Sequence, residues 1–73
     1  MSPRLPALTG QQVLTILQRR GFVAVRQSGS HVVLKHPDGR RTTVPIHPGR
    51  DLGRGLLRQI MRDANLTVDD LTA

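Results

Sequence analysis

The sequence predicts a small α+β domain in which three short antiparallel strands are flanked by two helices, in the order helix, strand, strand, strand, helix. Three observations support this. An apolar set at helical spacing follows a capping signature at Thr9. Two turn signatures, at Ser28–Gly29 and Pro37–Gly39, divide the middle of the chain into three β-prone runs. A second apolar set at helical spacing then spans about Arg54 to Ala64. Two amphipathic helices can cover the same face of a three-stranded sheet, which leaves the opposite face open.

Residues 1–7 read as an irregular lead-in. The hydroxyl of Thr9 can cap the first helix, Gln12 can reach back as the partner of a capping box, and Leu8 can staple onto Val13. Val13, Ile16 and Leu17, with Leu14 beside them, mark the buried face. Arg19 and Arg20 lie in the last turn, where the helix dipole favours cations, and Gly21 ends the helix with Phe22 folding back on Leu17.

Phe22 to Arg26 is the first predicted strand. Gly29 supplies the positive φ that a tight hairpin turn needs, and the β-branched pair Val32 and Val33 carries the chain into the second strand, Val32 to His36, with His31 at its start. Strand alternation puts Val32 and Leu34 on one face and His31, Val33 and Lys35 on the other. If the helices cover Val32 and Leu34, then His31 and Lys35 stand on the open side. After the turn at Pro37, Asp38 and Gly39, Arg40 to Val44 forms the third strand, which Pro45 ends or borders as an edge.

Residues 46–53 return the chain to the second helix. In that helix Leu57, Ile60, Met61 and Ala64 share one face, while Arg54, Arg58 and Arg62 form a stripe on another. The stripe reads first as a solvated helix face, with contact to RNA as the alternative. Asn65 can take the left-handed cap and bring Leu66 onto Met61. Thr67 restarts a short C-terminal turn over 67–73, with Asp70 reaching back and Leu71 as its apolar anchor. The whole chain, 1–73, is expected to be one domain. A chain of this length buries roughly 60% of the surface that it exposes when unfolded, so its stability should be marginal.

Charge is the strongest compositional signal. Eleven basic residues stand against five acidic ones, for a formal net charge of +6 and an isoelectric point near 11.8. Residues 1–37 hold no acid at all, and ten of the eleven cations are arginine. Such a field concentrates polyanions, so nucleic acid is the first expected partner and an acidic protein the second. Phe22 is the only aromatic residue, which excludes a stacking platform for bases and leaves charge, backbone and shape to do the binding. With no cysteine there is no disulfide framework and no thiolate metal site. The histidines at 31, 36 and 47 lack metal-ligand spacing, so no metal or other cofactor is expected. No apolar run approaches the ~20 residues of a membrane span, and the N-terminus lacks the apolar core of a secretory signal; a cytoplasmic protein with no membrane partner is expected.

By itself, a histidine at the start of an exposed strand is an ordinary surface residue. Two long segments change its weight: RRGFVAVRQSGSHVVLKHPDGRRTTVP, from Arg19 to Pro45, and DLGRGLLRQIMRDANL, from Asp51 to Leu66. In these segments the chain resembles the HicA toxins of bacterial type II toxin–antitoxin systems, which are messenger-RNA interferases. The resemblance implies a double-stranded-RNA-binding-like αβββα fold, a cognate antitoxin of the HicB type, and metal-independent cleavage of mRNA that inhibits translation and growth. It maps the family's catalytic histidine onto His31 and its turn glycine onto Gly29. His36 and His47 resemble family positions too, and read as structural or substrate-side. Asn65 stands where many members have Gly, and Gly53 where many have Pro; neither change touches His31. Lys35, Arg40 and Arg41, with the backbone at Gly29 and Ser30, are the expected holders of RNA phosphates. The competing readings are a non-catalytic basic RNA-binding module and a small domain whose charge serves only to meet an acidic partner.

Overall fold

The computed structural model describes residues 4–72, so the first three residues of the expected lead-in and Ala73 lie outside the described residues. Residues 4–8 carry no regular secondary structure. Six elements follow: α1 (Gly10–Arg19), β1 (Val23–Ser28), β2 (His31–Lys35), β3 (Arg41–Pro45), α2 (Arg54–Ala64) and α3 (Val68–Thr72). The strands form one antiparallel meander in the order β1-β2-β3, and the helices pack on one of its faces.

The expected caps are present. The hydroxyl of Thr9 accepts the backbone N–H of Gln12, while the Gln12 side chain accepts the N–H of Thr9 at 2.9 Å. At the other end of α1, the N–H of Phe22 reaches back to the carbonyl of Leu17 at 3.0 Å and that of Gly21 to Gln18 at 3.1 Å. Those two bonds satisfy carbonyls that the helix end would leave bare. Asn65 ends α2 in the same way at φ 55°, with Leu66 bonded back to Met61 at 2.8 Å. Thr67 and Asp70 cap α3 reciprocally.

The core lies between the helices and the sheet: Val13 and Leu17 from α1, Phe22 after it, Val32, Leu34 and Val44 from the strands, Leu57, Ile60 and Ala64 from α2, then Leu66 and Leu71. Met61, expected inside, is only half-buried and packs on the rim of this cluster. Thr42 is the one buried polar residue among the described residues, because its helix-facing hydroxyl donates to Asp63 of α2 at 2.9 Å.

The strand boundaries differ from the sequence expectation, by one residue at each end of β2 and β3 and by more in β1. Phe22 belongs to the helix terminus rather than to β1, because its N–H is spent on Leu17 and its ring is buried. β1 then runs on to Ser28, with a bulge between Ala24 and Arg26 where Val25 has no partner in the register. The first hairpin turn is therefore Gly29–Ser30, one residue later than expected, with Ser28 paired to His31.

Candidate functional site: the open sheet face and its histidine cleft

Register decides what the open face displays. His31 pairs with Ser28 and Pro45, Val33 with Arg26 and Thr43, and Lys35 with Val23 and Arg41. Val33 is only 7% exposed although no helix covers it, because it sits at the middle of the central strand with neighbours on both sides. Its exclusion from the helix-side core confirms the face that alternation assigns to it. Val23 and Val25, on the edge strand, are more than half exposed.

Arg26, Lys35 and Arg41 have no ion-pair partner among the described residues. Three of the five acids are engaged elsewhere: Asp38 with Arg40, Asp63 with Thr42 and Asp70 with Arg20. The open face is thereby left positive. Lys35 is four steps along the strand from His31, about 13 Å at about 3.3 Å per residue. A single phosphate cannot touch both ends, so the Lys35–Arg41 pair would meet a different part of a polyanion from the part that meets His31.

His31 is set by its turn. Gly29 occupies the first central position with φ 58°, and Ser30 takes no positive φ, the sign pattern of a type II′ hairpin. The Gln27 amide donates to the carbonyl of Gly29 at 3.1 Å and steadies the turn. The N–H of Ile46 donates to the carbonyl of Ser30 at 2.7 Å, so the ladder runs one pair beyond β3. This makes His31 and Pro45 a pair without mutual hydrogen bonds, a place where proline's missing N–H leaves no ladder bond unmade. The His31 imidazole is exposed and has no hydrogen-bond partner among the described residues.

The same extension brings in a second histidine. Ile46 packs against the core, so alternation sends Pro45 and His47 to the side of His31. His47, Pro48, Gly49 and Arg50 then form a turn closed by the Arg50 N–H on the His47 carbonyl at 3.1 Å, with Gly49 at φ 75°. Proline at the second position and a left-handed glycine at the third make this a type II turn, which folds Arg50 back beside His47. The loop is pinned at its far end: Leu52 donates to the carbonyl of Leu8 at 2.8 Å, and Asp51 bridges to Thr9. The result is a cleft of about 370 Å³ whose walls include His31, Pro45, His47, Arg50, Asp51 and Leu56. Sequence reading left His47 as structural or substrate-side and did not single out Arg50. Continuing the alternation of Arg41, Thr43 and Pro45 one step past the strand would have found His47.

Arg40 and His36 lie elsewhere. The Arg40 guanidinium binds Asp38 at 2.8 Å, donates to the carbonyl of Ala64 at the end of α2, and stacks 5.0 Å from the centre of the Phe22 ring. The expectation that Arg40 holds RNA phosphates together with Lys35 and Arg41 does not match its placement: successive residues face opposite sides, and this guanidinium is used to join β3 to the helices. The His36 ring meets Phe22 edge-on, centroids 5.1 Å apart, with Nδ1 2.9 Å from Asp38 Oδ1. The backbone N–H of Arg40, and then its side chain, hold the Asp38 carboxyl below its ordinary value. A larger cavity of about 600 Å³, lined by Arg19, Arg20 and Arg40, opens at these helix ends and contains no histidine. There the N–H and hydroxyl of Thr67, followed by Arg20, lower the Asp70 carboxyl.

Among the described residues, no group of three or more His, Cys, Asp or Glu converges as a metal site requires, and no helix is long and apolar enough to cross a membrane.

Fold and face together define a small basic α+β domain, compatible with the double-stranded-RNA-binding-like order of elements, that presents cations and histidines on an uncovered sheet. The chain belongs to the HicA toxin family: the family model for the HicA toxin of bacterial toxin–antitoxin systems matches residues 10–66, from the start of α1 to Leu66 after α2. It is thus the toxin of a toxin–antitoxin module, and its counterpart is a cognate antitoxin. No curated protein matches the chain.

Proposed function

We propose that this toxin is an endoribonuclease that cuts mRNA without a metal ion, using His31 for proton transfer, and so halts translation and growth. The observation that carries this reading is the exposed imidazole of His31, unpartnered among the described residues, at the end of a basic sheet face. RNA contains its own nucleophile. When the 2′-oxygen attacks the adjacent phosphorus, the protein has to take the 2′ proton, give a proton to the departing 5′-oxygen and stabilise the added charge. An imidazole, with an ordinary pKa of about 6.5, can do either proton transfer near neutral pH. The backbone of the Gly29–Ser30 turn lies next to His31 to meet the scissile phosphate, and Lys35 and Arg41 each hold a phosphate further along the strand. Arg40 supports the fold beneath them. A folded antitoxin silences so small an enzyme most simply by covering this face and burying His31.

Incubating the purified toxin with single-stranded RNA, with and without EDTA, tests the proposal. Fragments should appear in both cases. His31→Ala should lower the rate about 10²- to 10⁴-fold, the contribution of one general acid or base, while melting behaviour and RNA affinity stay close to those of the parent. Cleavage by His31→Ala at the parental rate would refute the catalytic role and leave a non-catalytic RNA-binding toxin.

A further inference from the structure

The cleft beside His31 contains more than the proposed reaction has yet used. His31 lines it from the start of β2 and His47 from the residue after Ile46, while the type II turn brings Arg50 to the same wall. His47 is exposed and, among the described residues, its imidazole has no hydrogen-bond partner, unlike His36, which is held by Asp38 and Phe22. The backbone spends several bonds on this placement: Ile46 to Ser30, Arg50 to His47 and Leu52 to Leu8. The charged and titratable residues that line the cleft with His47 are His31, Arg50 and Asp51.

We infer that His47 is the second proton-transfer group of the ribonuclease reaction and that Arg50 holds the phosphate between the two histidines. This rests on the ribonuclease reading above and supplies the acid or base that His31 alone cannot. One imidazole starts neutral and the other protonated. The neutral ring takes the 2′ proton as the 2′-oxygen bonds to phosphorus; the P–O5′ bond breaks, and O5′ receives its proton from the charged ring. The products are a 2′,3′-cyclic phosphate end and a 5′-hydroxyl end, and the two rings have exchanged protonation states, which exchange with water restores. The added negative charge on the phosphorus-bound oxygens falls where a guanidinium can donate two hydrogen bonds.

The test compares wild type, His31→Ala, His47→Ala, His47→Asn and the double alanine variant on two substrates: an RNA dinucleotide, and a nucleoside 3′-(4-nitrophenyl) phosphate. The nitrophenolate leaves without needing a proton, so loss of the general acid is forgiven on this ester and loss of the general base is not. Each single variant should lose about 10²- to 10⁴-fold on the dinucleotide. One of the two histidine positions, and only one, should regain most of its rate on the ester. The double variant should be little slower than the worse single one, because the two groups act as a unit. Melting temperature and RNA affinity should hold in all of them. If the wild type and not His31→Ala cuts RNA, yet His47→Ala and His47→Asn cut at the parental rate, this inference falls and the His31 reading stands. An equal loss on both substrates at both positions also overturns it. A wild type that cuts no RNA refutes the ribonuclease reading itself.

Discussion

Replacing Gly10 by alanine sets helix propensity against packing, and the structure decides the sign. Gly10 is the first residue of α1, behind the Thr9 cap, and exchanging glycine for alanine in a helix gains at most about 1 kcal/mol. Gly10 is also buried, and a Cβ placed there would collide with the carbonyl oxygen of Pro45, with the Pro45 carbonyl carbon at 3.1 Å and the Ile46 side chain at 3.3 Å behind it. That oxygen is backbone at the end of β3, held by the Pro45–His31 pairing and by the Ile46–Ser30 hydrogen bond, so it has no flexible way to yield. Forcing a methyl into a filled contact costs about 1 to 3 kcal/mol, and here the clash is with main chain, so the upper part of that range applies and exceeds the propensity gain. For a chain of this size each kcal/mol is worth about 4 to 8 °C, so Gly10→Ala should melt about 5 to 20 °C below the parent by circular dichroism. Because the displaced segment leads directly to His47 and opposes His31, RNA cleavage should fall as well, measured well below the melting temperature. A variant that melts at or above the parental temperature would show that α1 is not seated on Pro45 and would refute the packing argument.

Leu57→Ala should cost about 2 to 5 kcal/mol, read by denaturant unfolding, since Leu57 is 2% exposed in the middle of the core; a variant as stable as the parent would mean that the core lies elsewhere. RNA affinity should fall steeply with salt, and Lys35→Glu with Arg41→Glu should lower the log–log slope by about 1.4, at about 0.7 per phosphate contact on a single strand; Arg40→Gln should lower stability and leave the slope unchanged. Asp70 has a folded pKa below its ordinary 3.8, mainly through the Thr67 N–H, so its contribution to stability is complete above 3.8 and fades as pH falls through the lower folded value. Acid unfolding followed below about pH 4 should therefore be shallower in Asp70→Asn than in the parent, and that variant should be the less stable of the two at neutral pH.

Local chemistry was enough to place most of the elements. Thr9 and Gln12 write the start of α1, Asn65 and Leu66 write the end of α2, and the spacing of Val32 and Leu34 against His31 and Lys35 assigns the two faces of the central strand, because each of these signals acts within a few residues. Phe22 was harder: its β propensity pointed to a strand, while its backbone was claimed by the carbonyl of Leu17. The charge of the chain and the uncovered face for it were legible, but which arginines occupy that face was not. Arg40 and Arg41 are identical as residues, and only the meeting of β3 with the end of α2 and the Phe22 ring separates their uses. The cleft belongs wholly to the tertiary structure. His31 and His47 are sixteen residues apart in the sequence and line one cleft because β3 pairs beside β2, Gly10 lets α1 press on Pro45, and the loop after Ile46 is tied to Leu8 and Thr9. Sequence alone determined which groups could move a proton or hold a phosphate; long-range backbone pairing decided which of them meet, since no local signal reports the distance between residues brought together by a sheet.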